Sequence, residues 1–297
     1  MKRTNKFILL LAGIMICASG VMAQVTYAPY YKVKEVNSTV DVAMADVGKL
    51  LTDKGFEVLG TYHPEGKSTL GVLVFTRDDL KKAAVSARKR GIHAAIVRVG
   101  FISKAGKTTI SFTNPDYFNY AYLQKDLKKS GNLRRINADI KATFRSMGSL
   151  RGFGGRLEAD KLVKYRYMVG MEGFRNPVEL NTFSSFKAGV AKIQKDLKQK
   201  EGQTQLVYSI VDTKNQVAIF GIGLMNSDKG EPHFLPIIGE DHVAALPYEI
   251  VLIGKEAQML HGRFRIALHW PDLTMGTFTK IMSTPGDIKD ILKALTE

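Results

Sequence analysis

Cysteine is almost missing from this chain. Of its 297 residues only Cys17 carries a thiol. It lies in the N-terminal stretch expected to be removed, so the mature protein should hold neither a disulfide nor thiol chemistry. Stability must then come from an apolar core. The composition can supply one, with 45% hydrophobic and 24% charged residues, which argues against general disorder. Catalytic signatures are missing too. The chain has no nucleophile elbow, no GxxxxGK[ST] loop, no HExxH and no CxxC. Gly221-x-Gly223 lacks the third glycine of a dinucleotide fingerprint and sits in a strand pattern, where close backbone packing explains it. Among the six histidines no two are spaced three or four apart, so no helix can present a histidine pair to a metal. No metal and no cofactor are expected. Beyond the first residues no run is long and apolar enough to span a bilayer, which takes ~20 residues.

The first residues, MKRTNKFILLLAGIMICASGVMAQ, have another character. Lys2, Arg3 and Lys6 precede an apolar run from Phe7 to Ala18, and small residues follow. This is the pattern of a signal peptide cleaved after Ala23. Lipidation at Cys17 is the competing reading, disfavoured because Ile16 stands where a small residue is wanted. The expected location is periplasmic or extracellular.

The formal net charge is +15, unevenly spread. Residues 124–156 carry nine basic and two acidic side chains, whereas residues 157–297 carry 17 of each. A basic segment invites an anionic partner, and export argues against nucleic acid. An apolar stripe, Leu133, Ile136, Ile140 and Phe144, must pack inward, so most of this charge reads as a solvated helix face. The Gly-rich RGFGGR then reads as a linker.

The chain is read as written twice. Each half opens with a strand pattern, YYKVKEV and VKYRYMVGM, and continues with an amphipathic helix. Val40, Met44, Val47 and Leu51 set the first helical stripe, and Phe186, Val190, Ile193 and Leu197 the second. Two hairpins and closing helices follow in both. The helix RDDLKKAAVSARKRG of the first half is expected to be a Pro- and Gly-containing loop in the second. Aligning Pro115-Asp116 with Pro271-Asp272 makes each pair a helix start. The expected fold is α+β, a tandem duplication of a βαββ(α)ββαα unit with mainly antiparallel sheets and helices on one face. Its boundaries are 24–147 for the first repeat, 148–160 for the linker and 161–297 for the second.

In the first half, STVDVAMADVGKLLTDKGFEVL, LVFTRDDLKKAA and TISFTNPDYFNYAY together resemble the domain of unknown function 302 family, over about residues 36–124. That resemblance implies a small α+β domain and no particular activity. The second half would be a diverged copy.

The candidate site lies in GRFRIALHW. A period of two places Phe264, Ile266, Leu268 and Trp270 on one strand face and Arg263, Arg265 and His269 on the other. With His242 these are the candidate binding residues for a small anion, if the outer faces meet or line a cleft. The expected partner is a small anionic ligand or an acidic envelope surface, bound by a non-enzymatic binding or structural module. The alternative is a periplasmic hydrolase using His269 or His242 with a carboxylate in a pocket between the halves.

Overall fold

The computed structural model describes residues 25–168, 170–199 and 203–297, so the signal peptide and cleavage site expected from the sequence lie outside the described residues. After a short β1 (Thr26–Tyr27), the first half runs β2 (Tyr30–Val36), α1 (Val40–Asp53), β3 (Glu57–Tyr62), β4 (Leu70–Thr76), α2 (Asp78–Ala87), β5 (Val97–Lys104), β6 (Lys107–Thr113), α3 (Pro115–Leu123) and α4 (Leu133–Arg145). Local chemistry sets the helix starts. Thr39 caps α1 through the Val42 N–H, and Asn114 caps α3 through the Asp116 N–H ahead of Pro115.

The connecting segment holds β7 (Arg151–Phe153), β8 (Leu157–Glu158) and α5 (Ala159–Val163). It is tied down at both ends of its glycine run, because β7 pairs with β2 and β8 with β1. The second half runs β9 (Val178–Thr182), α6 (Phe186–Lys198), β10 (Thr204–Asp212), β11 (Val217–Leu224), α7 (Glu231–Ile238), β12 (Tyr248–Ile253), β13 (Glu256–Met259), α8 (Gly262–His269), α9 (Met275–Thr279) and α10 (Thr284–Ala294).

The fold is α+β with antiparallel sheets. The six-stranded sheet has the order β3-β4-β5-β6-β2-β7 and the five-stranded sheet β10-β11-β12-β13-β9. Apart from β7 the two orders correspond strand for strand. Alternation divides each sheet's side chains between a helix side and an inner side. On the first sheet Phe75 and Phe112 lie against Phe144 of α4, and Gly71 lies beneath Val40 and Met44 of α1. On the second, Leu252 lies beneath Gly189 of α6. The inner sides meet the opposite half. Gly100 of β5 abuts Val243 and Ala244, which belong to a 3-10 turn (Glu240–Ala245) of the second half. The matching turn of the first half (Lys89–Ala95) packs against β11 and β12. At one edge β3 crosses β10, where a Cβ on Gly60 would come 2.0 Å from the Val207 carbonyl oxygen. Both strands are bulged there, between Val58 and Gly60 and between Leu206 and Tyr208.

Four expectations are corrected. First, the described residues among 163–171 do not form the opening strand of the second half; β9 does, at 178–182. Second, the helix expected to be lost is present as α7. Pro232 sits in its first turn, where an N–H has no helical partner, and Gly230 and Gly239 bound it. Third, GRFRIALH is a helix, so Arg263, Arg265 and His269 do not share a strand face. Seven of its eight residues are buried, leaving no amphipathic period to distinguish helix from strand. Fourth, Pro271-Asp272 follows α8 and starts no helix. The counterpart of Pro115 is Gly262, and His261 stands where Asn114 caps the first half.

Candidate functional site

Three of the four candidate residues, Arg265, His269 and His242, occupy a buried polar seam between the halves. Its centre is an ion cluster. Arg98 and Glu249 are each the second residue of strands that hold the same place in their sheets, β5 and β12. Arg98 Nη2 donates to Glu249 Oε1 across the seam. Arg265 reaches the same carboxylate from α8, with Nε 3.2 Å from Glu249 Oε2. Its Nη2 donates to the carbonyls of Ala245 at 2.6 Å and Pro247 at 2.7 Å, and its guanidinium carbon lies 3.9 Å from the Tyr248 ring centre. Arg265 is 1% exposed, so it cannot meet a ligand from solvent. Arg263, next to it on the helix, is exposed and belongs to no cluster.

His269 ends α8 inside the protein. Helices leave their last carbonyls without helical partners, and burial makes that costly. Here side chains from around the helix supply the donors. Tyr165 donates to the Ala267 carbonyl at 2.8 Å and Tyr117 to that of Leu268 at 2.9 Å. His242 Nδ1 donates to the His269 carbonyl at 2.9 Å, and Tyr30 lies 3.1 Å from the same oxygen. A carbonyl only accepts, so His242 carries its proton on Nδ1. The His269 ring lies 2.8 Å from the Tyr30 hydroxyl through Nδ1 and 3.4 Å from that of Tyr122 through Nε2. His242 and Trp270 stack with ring centres 5.6 Å apart.

Burial holds the histidines neutral. It pushes His269 well below its ordinary pKa of 6.5, and Arg265 and Arg98 push in the same direction. His93 is depressed in the same way, by burial first and then by Arg98. His242 is lowered by burial against the opposing pull of Asp272. Neither His242 nor His269 has a carboxylate as a hydrogen-bond partner among the described residues. The acid–base dyad that a hydrolase would need is therefore not formed by these two groups. They cap and pack.

A second carboxyl crosses the seam. Glu231 opens α7 with no exposed surface, accepting from the Tyr62 hydroxyl and the Leu224 N–H, both at 3.1 Å. Burial raises its pKa to about 8. Arg98, Glu249 and Glu231 were not among the candidates. The first two had a visible signal, a single charge within the apolar runs IVRVGF and YEIVLI, since buried charges occur mainly as pairs.

The junction also carries an open concavity. A cleft of about 520 Å³ lies between α2 of the first half and the β10–β11 hairpin of the second. Val85, Ile92 and Ile210 supply apolar lining, with Asp78, Lys82 and Asp212 among the polar groups. The carboxylates are engaged: Lys81 pairs with Asp78 at 2.8 Å, and Asn215 bonds Asp212 through its N–H and its side-chain amide. Lys82 is exposed and makes no hydrogen bond or ion pair among the described residues. No grouping of three or more His, Cys, Asp or Glu suited to a metal occurs among them, and none of their helices is long and apolar enough to cross a membrane.

Comparison with family models, with curated proteins and with solved structures returns no match for this chain.

Proposed function

We propose that the chain is an exported, non-enzymatic binding module, built of two copies of one α+β unit, that takes a small anionic ligand in the cleft between α2 and the β10–β11 hairpin. The cleft carries this reading. Its volume of about 520 Å³ suits a small organic molecule, and it combines apolar lining with one unpaired ammonium, Lys82. A ligand with one carboxylate or phosphate and a compact apolar body would place its charge on Lys82 and its body on Val85, Ile92 and Ile210. The common strand order of the two sheets supports the duplication, and the placement between halves gives the duplication a use. The resemblance to the domain of unknown function 302 family stays a proposal about fold.

The site thus moves away from Arg263, Arg265, His269 and His242. Thermal unfolding against a panel of small carboxylates and phosphate monoesters tests it. A ligand at 100 times its Kd should stabilise the protein by ~2.7 kcal/mol. Lys82→Glu should abolish that gain, as should Val85→Trp, which fills the cleft. Arg263→Ala should leave it intact. Stabilisation that survives both cleft variants would place the site elsewhere.

A further inference from the structure

The ion cluster at the seam does not balance. Arg98 and Arg265 are both buried and both charged, yet they share a single carboxylate, Glu249. One positive charge is left over inside the protein. Uncompensated burial of a charge is strongly destabilising, so the interior should supply a counter-charge. The neighbouring groups do not. His93 and His269 are held neutral by burial. The Tyr208 and Tyr248 hydroxyls are pushed up to about 12, so neither is a phenolate near neutral pH. Glu231 is held by Tyr62 and the Leu224 N–H through Oε1 alone, its Oε2 has no partner among the described residues, and burial raises its pKa to about 8, which disfavours the charged form.

The hydrogen-bond accounts of the same groups are also open. Arg98 Nε, Arg265 Nη1, the Tyr208 and Tyr248 hydroxyls and His93 Nδ1 are buried without a partner. Buried donors are rarely left unpaired, and guanidinium N–H groups least of all. These groups belong together. The Tyr208 ring lies over Gly221, which pairs in register with Glu249. Tyr248 stacks on Arg265, and Arg98 and Arg265 hold the two oxygens of one carboxylate.

We propose that the seam binds one monovalent inorganic anion, of the chemistry of chloride, against the free N–H groups of Arg98 and Arg265 with a tyrosine hydroxyl as a further donor. One negative charge is what the cluster lacks. Apart from Glu231 Oε2, the open positions are guanidinium N–H groups, hydroxyls and one imidazole nitrogen, all able to donate, and a halide asks for donors alone. Arg98, Glu249 and Arg265 are all buried, which favours a small ion over an organic acid with an apolar body. The anion is a structural ligand, separate from the ligand of the α2–hairpin cleft, and it joins the halves by neutralising a charge contributed from both.

Crystals grown in bromide, with anomalous scattering, locate the anion directly. The expected result is a peak within hydrogen-bond distance of Arg98 Nε or Arg265 Nη1. Thermal unfolding in chloride is then compared with unfolding in gluconate, which is too large to enter, at equal ionic strength. Above saturation each tenfold rise in chloride should raise the midpoint by an equal step. Arg98→Met leaves Arg265 and Glu249 as a balanced pair, so that dependence should vanish. Should Arg98→Met fail to fold, the bromide peak and the unfolding of Tyr208→Phe, with a weaker chloride response, carry the test. Bromide found only on the surface, with equal midpoints in chloride and gluconate, would overturn the proposal in favour of buried water.

Discussion

Glu231 shows how a single buried group writes itself into stability. Its carboxyl has a pKa of about 8 in the fold against an ordinary 4.5, because burial opposes ionisation. As pH rises from 4.5, the unfolded chain ionises this group and the folded chain resists, so folding stability falls until pH 8 and then levels. The slope approaches ~1.4 kcal/mol per pH unit within that window. Glu231→Gln removes it, so the variant should gain on the wild type between pH 5 and 8 in thermal unfolding; parallel curves would contradict this assignment. The histidines act at the other limb. His93 and His269 are depressed below 6.5, so stability is present above 6.5 and lost as pH falls and the unfolded chain takes up protons. His93→Phe, packed against Tyr122 and Phe174, should flatten that acid limb. Gly221 tolerates no side chain, since a Cβ would lie 1.9 Å from the Tyr208 ring. Gly221→Ala should cost ~3 kcal/mol in denaturant unfolding. At this scale the sequence was partly legible. Trp270 reads as a core residue and is 2% exposed. Arg265 and His269 read as surface groups and are buried, because their partners, Glu249 and Tyr30, are distant in the chain.

Helix α8 shows what an element's ends demand. Its last carbonyls are buried, and Tyr165, Tyr117, Tyr30 and His242 surround them. Tyr117→Phe should strand the Leu268 carbonyl and cost ~1–3 kcal/mol, measurable by chemical denaturation. A cost indistinguishable from zero would mean that water reaches that oxygen. Periodicity revealed α1 and α6, whose stripes are long and whose outer faces are wet. It failed for α8, which is short and enclosed on nearly every side, and for α7, whose prolines resemble loop signals although one lies in the first turn and Pro236 lies inside the helix. Three of the four hairpins were legible because their turn residues are local; the last was not, since GRFRIALHW reads as its second strand although β13 ends at Met259. The pairing of β7 with β2 was not, since RGFGGR gives no sign of its distant partner.

For the whole molecule, each sheet buries its inner side against the opposite half, whose 3-10 turn covers it, and helices α3 and α8 meet through Tyr117 and Phe118. Neither half can keep its inner face dry alone. Unfolding in urea should therefore be one transition, with Trp270 fluorescence and far-UV circular dichroism giving coincident midpoints. Separate midpoints would mean that the halves melt independently. A two-part chain with hairpins and closing helices could be read from the sequence, whereas the contact between the parts could not, because it depends on pairs such as Arg98 with Glu249 that no local pattern announces.

The crossing of β3 over β10 has a further consequence. Each is the edge of its sheet, and an edge strand is a template on which another chain can assemble. Both edges are bulged where they approach, and Gly60 lets the Val207 backbone come within reach. Each thereby blunts the other, and at this corner a protein without disulfides is protected against strand addition and the aggregation that follows from it.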